Sequence, residues 1–179
     1  MKKIICLFTL LFPLIINAQT VIKIGGGVAN RWNETLNIQT VGKGFRFSAE
    51  KFIKPNLSTG LTISNFVFNP TPSVEIKYIS ANFNYTYYFY KKTLQPYSGI
   101  GIGYNRFFDR TTIDLGNNIS SKQDRTKNYG VISPFLGIKF TKKEKKLGLF
   151  FQINADFVPI SKIAPIGFIS TTLGFSSQL

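Results

Sequence analysis

The chain has 179 residues, with 22 Lys and Arg against 8 Asp and Glu, which gives a formal net charge of +14. It contains no histidine, and its one cysteine is Cys6. These absences exclude histidine-based acid–base catalysis and a disulfide within the chain, and they argue against a zinc site of the usual Cys and His ligands. The composition therefore disfavours enzymes that depend on histidine before any motif is considered.

The first eighteen residues have the pattern of a secretory signal peptide. Lys2 and Lys3 precede a mainly apolar stretch at residues 4–16, and Ala18 stands where cleavage is expected. The stretch is shorter than the ~20 residues that a spanning helix needs, so cleavage is favoured over anchoring. We predict a signal peptide at 1–18 and a mature chain at 19–179, whose net charge is 14 − 2 = +12. An exported chain of this charge favours anionic lipid or acidic glycans over nucleic acid as partners.

Beyond the signal, apolar and polar residues alternate with a period of two, in segments near the ~10 residues of a tilted membrane-spanning strand. Eight such segments follow in chain order, at residues 21–30, 44–53, 57–68, 75–90, 97–108, 129–140, 147–157 and 166–177. Their polar faces are mostly Gly, Ser, Thr and Asn, which suits a narrow lumen better than a surface in water. The sequence thus predicts one all-β domain, a closed antiparallel up-and-down transmembrane β-barrel of about eight strands.

The apolar faces of these strands are expected to contact lipid. The predicted lipid-facing set is Phe45, Phe47, Ile79, Phe83, Ile102, Leu136, Ile138, Phe151, Ile153 and Leu173. Bulky inward positions, among them Phe66, Tyr78, Tyr88, Phe135 and Phe150, are expected to narrow the interior.

The connections differ in length. Those at 54–56, 91–93 and 141–146 are short, those at 31–43 and 109–128 are long, and those at 69–74 and 158–165 are intermediate. Outer-membrane barrels have short periplasmic turns and longer external loops, so both termini are expected on the periplasmic side.

Two blocks resemble a known family. The first is the Tyr-rich strand at 84–90 with the following segment at 96–104, and the second is Pro-Phe-Leu-Gly-Ile-Lys-Phe at 134–140. They are similar to the small outer-membrane β-barrel domain family, which includes OmpA-type and OmpX-type barrels and proteins labelled porin family. The resemblance covers nearly all of the mature chain and implies residence in the bacterial outer membrane. Enzymes of this barrel class use a catalytic histidine, which is missing here, so no enzymatic activity is expected.

No catalytic, cofactor-binding or metal-binding residues are predicted. Glu50 and Asp156 could form a carboxylate pair, but the stronger interpretation is that they form lumen ion pairs with Lys23, Arg46 and Lys139. The glycine runs at 25–27 and 99–103 lie in strands and are not interpreted as phosphate loops, and no helix pattern follows the first. The alternating glycines at 99–103 are interpreted as making room in the lumen or allowing barrel curvature.

The connection at 109–128 is the one segment predicted to recognise a partner. It is expected to be a mobile external loop, with Phe107, Phe108 and Tyr129 marking the membrane interface at its ends. Its basic residues are Arg110, Lys122, Arg125 and Lys127. They favour an acidic glycan, a lipid head group or an acidic protein as the partner.

The main hypothesis is a monomeric, non-enzymatic outer-membrane protein with a structural or surface-interaction role. One alternative is porin-like passage of small or apolar solutes. The other is a soluble secreted barrel that binds lipid inside, which requires the apolar side chains to face inward. The basic turns, with Lys91, Lys92 and a cluster at 142–146, are interpreted mainly as solvated ends of strands.

Overall fold

A computed structural model describes residues 19–32, 40–71, 73–89, 93–114, 120–141, 146–158 and 166–178. The predicted signal peptide and the basic residues at 91–92 and 142–145 lie outside the described residues. The strands are β1 (Thr20–Trp32), β2 (Thr40–Lys54), β3 (Leu57–Thr71), β4 (Val74–Tyr88), β5 (Leu94–Asp114), β6 (Ser120–Thr141), β7 (Leu147–Val158) and β8 (Ile166–Gln178). No helix in these ranges is long and apolar enough to cross a membrane.

The eight strands close into a barrel in which each strand pairs antiparallel with the next in sequence. Closure is made by β1 and β8, where Gly25 lies opposite Gly174. The predicted closed up-and-down barrel is confirmed. We call the end that holds Thr20 and Gln178 the terminal end, and the opposite end, where β5 turns toward β6, the loop end.

Side chains alternate strictly between the outside and the inside of the barrel. In β4, every second residue from Ile76 to Tyr88 is buried, and the residues between them are exposed. All ten members of the predicted lipid-facing set are exposed, with exposed fractions from 37% to 66%. In the described residues, 29 large apolar or aromatic side chains are exposed and 14 apolar or aromatic residues are buried. The soluble lipid-binding alternative required the opposite arrangement and is therefore wrong for this fold.

The prediction of a loop at 109–128 is wrong. β5 continues to Asp114 and β6 begins at Ser120, so most of this segment is a β-hairpin that projects from the loop end. β-branched residues favour extended backbone at 111–113, and opposite charges face each other where Arg110 pairs with Asp124. The charges of this segment, which the sequence analysis assigns to recognition, support a cross-strand ladder.

Two smaller expectations also fail at the loop end. β3 reaches Thr71 and β4 begins at Val74, so the predicted intermediate connection at 69–74 is a tight turn. Phe107 is buried and Tyr129 packs against the same interior cluster, so neither marks the membrane interface as expected. Both residues occupy inward register positions, because the ladder continues unbroken into the hairpin.

The wall has one interruption, between β6 and β7. The strands pair at Ile132 and at Phe135 but not at the two positions between them, one of which is Pro134. Proline has no N–H to donate, so it removes a ladder hydrogen bond. A groove of about 550 Å³ lies along this seam. It is lined by outward side chains such as Leu136 and Ile153, and it reaches Phe135 of the inner face.

The register predicts that substitutions at the neighbouring residues Asn82 and Phe83 of β4 differ sharply in their effect on folding stability. Phe83→Arg places a charge midway along the exposed apolar face and is expected to cost roughly 2–4 kcal/mol of folding stability in a bilayer. Asn82→Ser changes a small polar side chain of the lumen and is expected to have little effect. Heat-modifiable gel migration and urea titration in lipid vesicles measure both. Equal losses in the two variants would mean that the register is wrong by one residue.

Candidate functional site

Three layers of side chains fill the interior of the described barrel. Apolar and aromatic side chains form one cluster at the loop end, and hydroxyl and amide groups occupy the middle. A buried ion pair lies toward the terminal end, in the layer that also holds Tyr88, Tyr97 and Phe135. The interior is therefore a packed core and not a pore lining.

The cluster at the loop end, which we call the aromatic plug, consists of Phe66, Phe68, Tyr78, Phe107 and Phe168. Phe168 is the central ring, because it stacks on Tyr78 at a centroid distance of 4.8 Å and on Phe107 at 5.3 Å. Each of the five is 4% exposed or less. Contacts between aromatic rings in such offset geometries stabilise a core beyond simple burial. The plug closes the loop end of the lumen.

Asp156 is held directly beneath the plug. The hydroxyl of Tyr78 donates to one carboxylate oxygen at 2.5 Å, and the hydroxyl of Ser133 donates to the other. Arg46 lies in the same middle layer but donates to Ser64 at 2.9 Å and to Ser170 at 3.1 Å. Arg46 and Asp156 are thus buried charges bonded to hydroxyl groups, with no direct ion pair between them in the described structure.

Lys23 and Glu50 form the buried ion pair, with 2.7 Å between Nζ and Oε1. The other oxygen of Glu50 accepts hydrogen bonds from Tyr88 at 2.7 Å and from Ser58 at 3.0 Å. Lys23 also lies 4.0 Å from the ring centre of Tyr97, a distance at which a cation is attracted to the ring face. Because both charges are fully bonded, the penalty of burying them is offset.

Two glycines make room for this layer. A Cβ on Gly137 would lie 2.3 Å from the ring of Tyr97, and one on Gly99 would lie 2.3 Å from the ring of Phe135. The glycines thus let large rings lie flat against the neighbouring strand. This agrees with the interpretation of the glycine run at 99–103 as space in the lumen.

Lys139 is the remaining charged residue of the predicted lumen set. Its side chain is 2% exposed, and no residue in the described ranges forms a hydrogen bond or ion pair with it. The predicted set is therefore divided, with Lys23 and Glu50 in contact, Arg46 and Asp156 held by hydroxyls, and Lys139 alone. Sequence analysis missed the roles of Tyr78, Tyr88 and Tyr97, because their hydroxyls meet partners far away in sequence.

The external hairpin divides the predicted recognition residues between its two faces. Arg110 lies on the outward face and forms an ion pair with Asp124, at 3.0 Å between Nε and Oδ1. This hydrogen bond raises the pKa of the Arg110 guanidinium, because it favours the charged form. Lys122 pairs with Thr112 in the backbone register, and its side chain lies outside the described part.

Arg125 and Lys127 lie on the other face of the hairpin. Their register partners are Asp109 and Phe107, whose positions belong to the inner side of the barrel wall. Both basic side chains are exposed, and neither makes an ion pair within the described residues. The inner face of the hairpin thus presents two exposed basic side chains that form no ion pair with a described residue, with the carboxylate-bearing Asp109 opposite Arg125.

The described interior offers acceptors and donors but no pair of groups suited to nucleophilic catalysis. Glu50 and Asp156 lie in different layers, and each is bonded to donors that hold it as a carboxylate acceptor. The described residues also contain no group of three or more acidic, Cys or His side chains that could hold a metal ion. The chemistry open to these lumen side chains is the binding and positioning of charged groups at the two ends of the barrel.

Comparison with known proteins identifies the fold. No family model and no curated protein matches the chain. Among solved structures, Neisserial surface protein A matches with a TM-score of 0.71 at 15% identity, over 89% of this chain and 97% of that one. A major outer membrane protein of Thermus thermophilus matches with a TM-score of 0.69 at 12% identity, over 91% and 100%. The fold is that of the small outer-membrane β-barrels.

A third structure with this fold is Ail, the attachment invasion locus protein of Yersinia pestis, in complex with the heparin analogue sucrose octasulfate. It matches with a TM-score of 0.61 at 12% identity, over 92% of this chain and 100% of that one.

The buried ion pair is expected to respond differently to single and double changes. Glu50→Gln leaves Lys23 buried without its anion and is expected to cost about 3–5 kcal/mol of unfolding free energy. Adding Lys23→Met is expected to recover most of that loss, because the isolated charge is removed. Glu75→Gln is the control, since Glu75 pairs with Lys77 at the surface and is expected to cost ~0–1 kcal/mol. Urea unfolding in micelles tests this, and a double variant no more stable than Glu50→Gln would contradict it.

The aromatic plug predicts that the barrel conducts poorly. Planar-bilayer recordings of the purified protein are expected to show no large and stable openings. Replacing Phe68 and Phe168 by Ala removes two rings of the plug and is expected to increase the frequency of small openings. Openings of porin size in the unaltered protein would contradict the closed interior and favour solute passage.

Proposed function

We propose that this chain is a monomeric, non-enzymatic protein of the bacterial outer membrane that binds polyanions outside the cell through its external hairpin. Three observations support the proposal, namely the apolar outer belt, the projecting hairpin with its basic inner face, and the shared fold. The single observation on which the binding role depends is the pair of exposed basic side chains, Arg125 and Lys127, neither of which forms an ion pair with a described residue.

The outer surface supports residence in a membrane. A continuous belt of exposed Ile, Leu, Phe and Tyr would aggregate in water, whereas hydrocarbon solvates it. A closed barrel also satisfies every strand edge, as the hydrocarbon region requires. Charged residues on the outward face, such as Lys77 and Arg106, appear where the belt ends toward the loop end. The hairpin beyond them therefore projects out of the membrane.

The hairpin supports recognition of anions. Arg125 and Lys127 are two residues apart on one strand, so their side chains share a face. Arg110 contributes less, because Asp124 neutralises it. Sulfate and carboxylate groups on a glycan are the kind of charge that such a basic strand attracts.

The complex of Ail with sucrose octasulfate supports the class of ligand. It shows that a protein with this fold binds a highly sulfated sugar. The likeness between the two chains is one of fold, so the residues that bind are argued here from the hairpin alone.

Binding to sucrose octasulfate is expected to depend on the inner face of the hairpin. Titration calorimetry on the detergent-solubilised protein compares Arg125→Gln/Lys127→Gln with Lys54→Gln/Lys146→Gln, which removes the same charge at the terminal end. The hairpin variant is expected to bind at least about tenfold more weakly, and the control is expected to bind almost as well as the unaltered protein. Binding is expected to weaken as salt is raised.

Equal losses in the two variants would mean that net charge alone attracts the polyanion, and this outcome would contradict the hairpin site. A second control is Arg110→Gln/Asp124→Asn, which leaves the net charge unchanged and removes only the outward ion pair. It is expected to keep most of the affinity. Loss of binding in this control would move the site to the outward face.

A further inference from the structure

We propose that the terminal end of the lumen is a binding site for a compact oxyanion, a phosphate or carboxylate group, held by Lys139. The site lies at the end of the barrel opposite the external hairpin, and it does not depend on the proposed polyanion binding. Three features carry the inference: a cavity, an unpartnered buried cation and an excess of positive charge.

The cavity opens at the terminal end and has a volume of about 180 Å³. It is lined by Gln19, Phe52, Tyr88, Gln95, Lys139 and Gln178. Three of these are glutamines, whose amide groups can donate to an oxyanion as well as accept from water. A backbone hydrogen bond of 3.1 Å from Phe52 to Gln19 fixes one side of the mouth.

Lys139 is the unpartnered cation of this cavity. It is buried to the same degree as Glu50, yet it has no hydrogen bond or ion pair with any described residue. A lysine side chain that is buried in the lumen, lines a cavity and has no hydrogen-bonded acceptor among the described residues is well placed to bind an anion there. Its cross-strand neighbour Gln95 is neutral and also lines the cavity, so the two form one wall of the site.

The interior cannot supply the missing anion from the acids that the structure describes. Glu50 already accepts from Lys23, Tyr88 and Ser58, and Asp156 accepts from Tyr78 and Ser133 in the middle layer. The buried charges in the described lumen are three cations and two anions, which leaves an excess of 3 − 2 = +1. One monovalent anion at Lys139 would neutralise the interior.

The surroundings favour entry of an anion. Lys54 and Lys146 are exposed at the same end of the barrel, on the turns beside the cavity mouth. Positive charge near a narrow opening raises the local concentration of the opposite ion. The volume of the cavity suits one phosphate or one carboxylate group. Such a group could come from a free ion or from a lipid head group, and the test separates these sources.

The test measures thermal unfolding of the refolded barrel in neutral detergent at constant ionic strength. Inorganic phosphate and acetate are titrated separately, and phosphatidylglycerol is added to the micelles in a third arm. Lys139→Met is compared with Lys43→Met, which removes the same charge from an exposed position near the loop end. A ligand that binds only the folded state raises the unfolding midpoint in a saturable way.

We expect phosphate or acetate to raise the midpoint of the unaltered protein and of the control variant, Lys43→Met. The shift should be lost in Lys139→Met. Without added anion, Lys139→Met should unfold at the same temperature as the unaltered protein or at a higher one, since it removes an isolated buried charge. A shift produced by phosphatidylglycerol alone, and lost in Lys139→Met, would support the site and assign its anion to lipid. Equal shifts in both variants, or no saturable shift with any of the three anions, would overturn the proposal.

Discussion

The rest of the structure depends on the need to pair every backbone N–H and C=O group within hydrocarbon. A sheet meets this need only by closing on itself, and here β1 closes against β8 with glycines facing each other at the seam. Closure fixes which side of each strand faces lipid, because alternate residues must point in opposite directions. The outer belt is therefore largely apolar, and polar side chains such as those of Glu50, Ser64 and Asn82 are directed into a narrow interior.

That interior has to be filled at the density of a protein core. The chain fills it by placing small residues opposite large side chains. Glycine faces a ring where Tyr97 crosses Gly137, and hydroxyl or amide groups fill the middle layer. Buried charges are tolerated where several donors converge, as they do on Glu50. The same packing that closes the lumen thus leaves the two ends of the barrel as the places where binding is possible.

The eight strands and their two faces could be predicted from the sequence, because period-two alternation is a local signal. The hairpin could not, because nothing local in the sequence shows that Arg110 and Asp124 are cross-strand partners. Contacts between side chains across the lumen could not be predicted from the sequence either. Tyr78 meets Asp156, which lies 78 residues away, and this contact depends on how far the strands are staggered around the barrel. The alternation predicts that both residues point inward but not that they meet.

The interruption at Pro134 makes the wall more flexible at that point than a wall with an unbroken ladder of hydrogen bonds. Where hydrogen bonds between β6 and β7 are missing, the two strands are joined by side-chain contacts alone, so bending and shearing strain concentrates along that line. A tube that is stiff around most of its circumference and compliant along one line deforms into an oval under lateral pressure. In a crowded membrane, such a barrel yields in one preferred direction while the remainder of its wall keeps its shape.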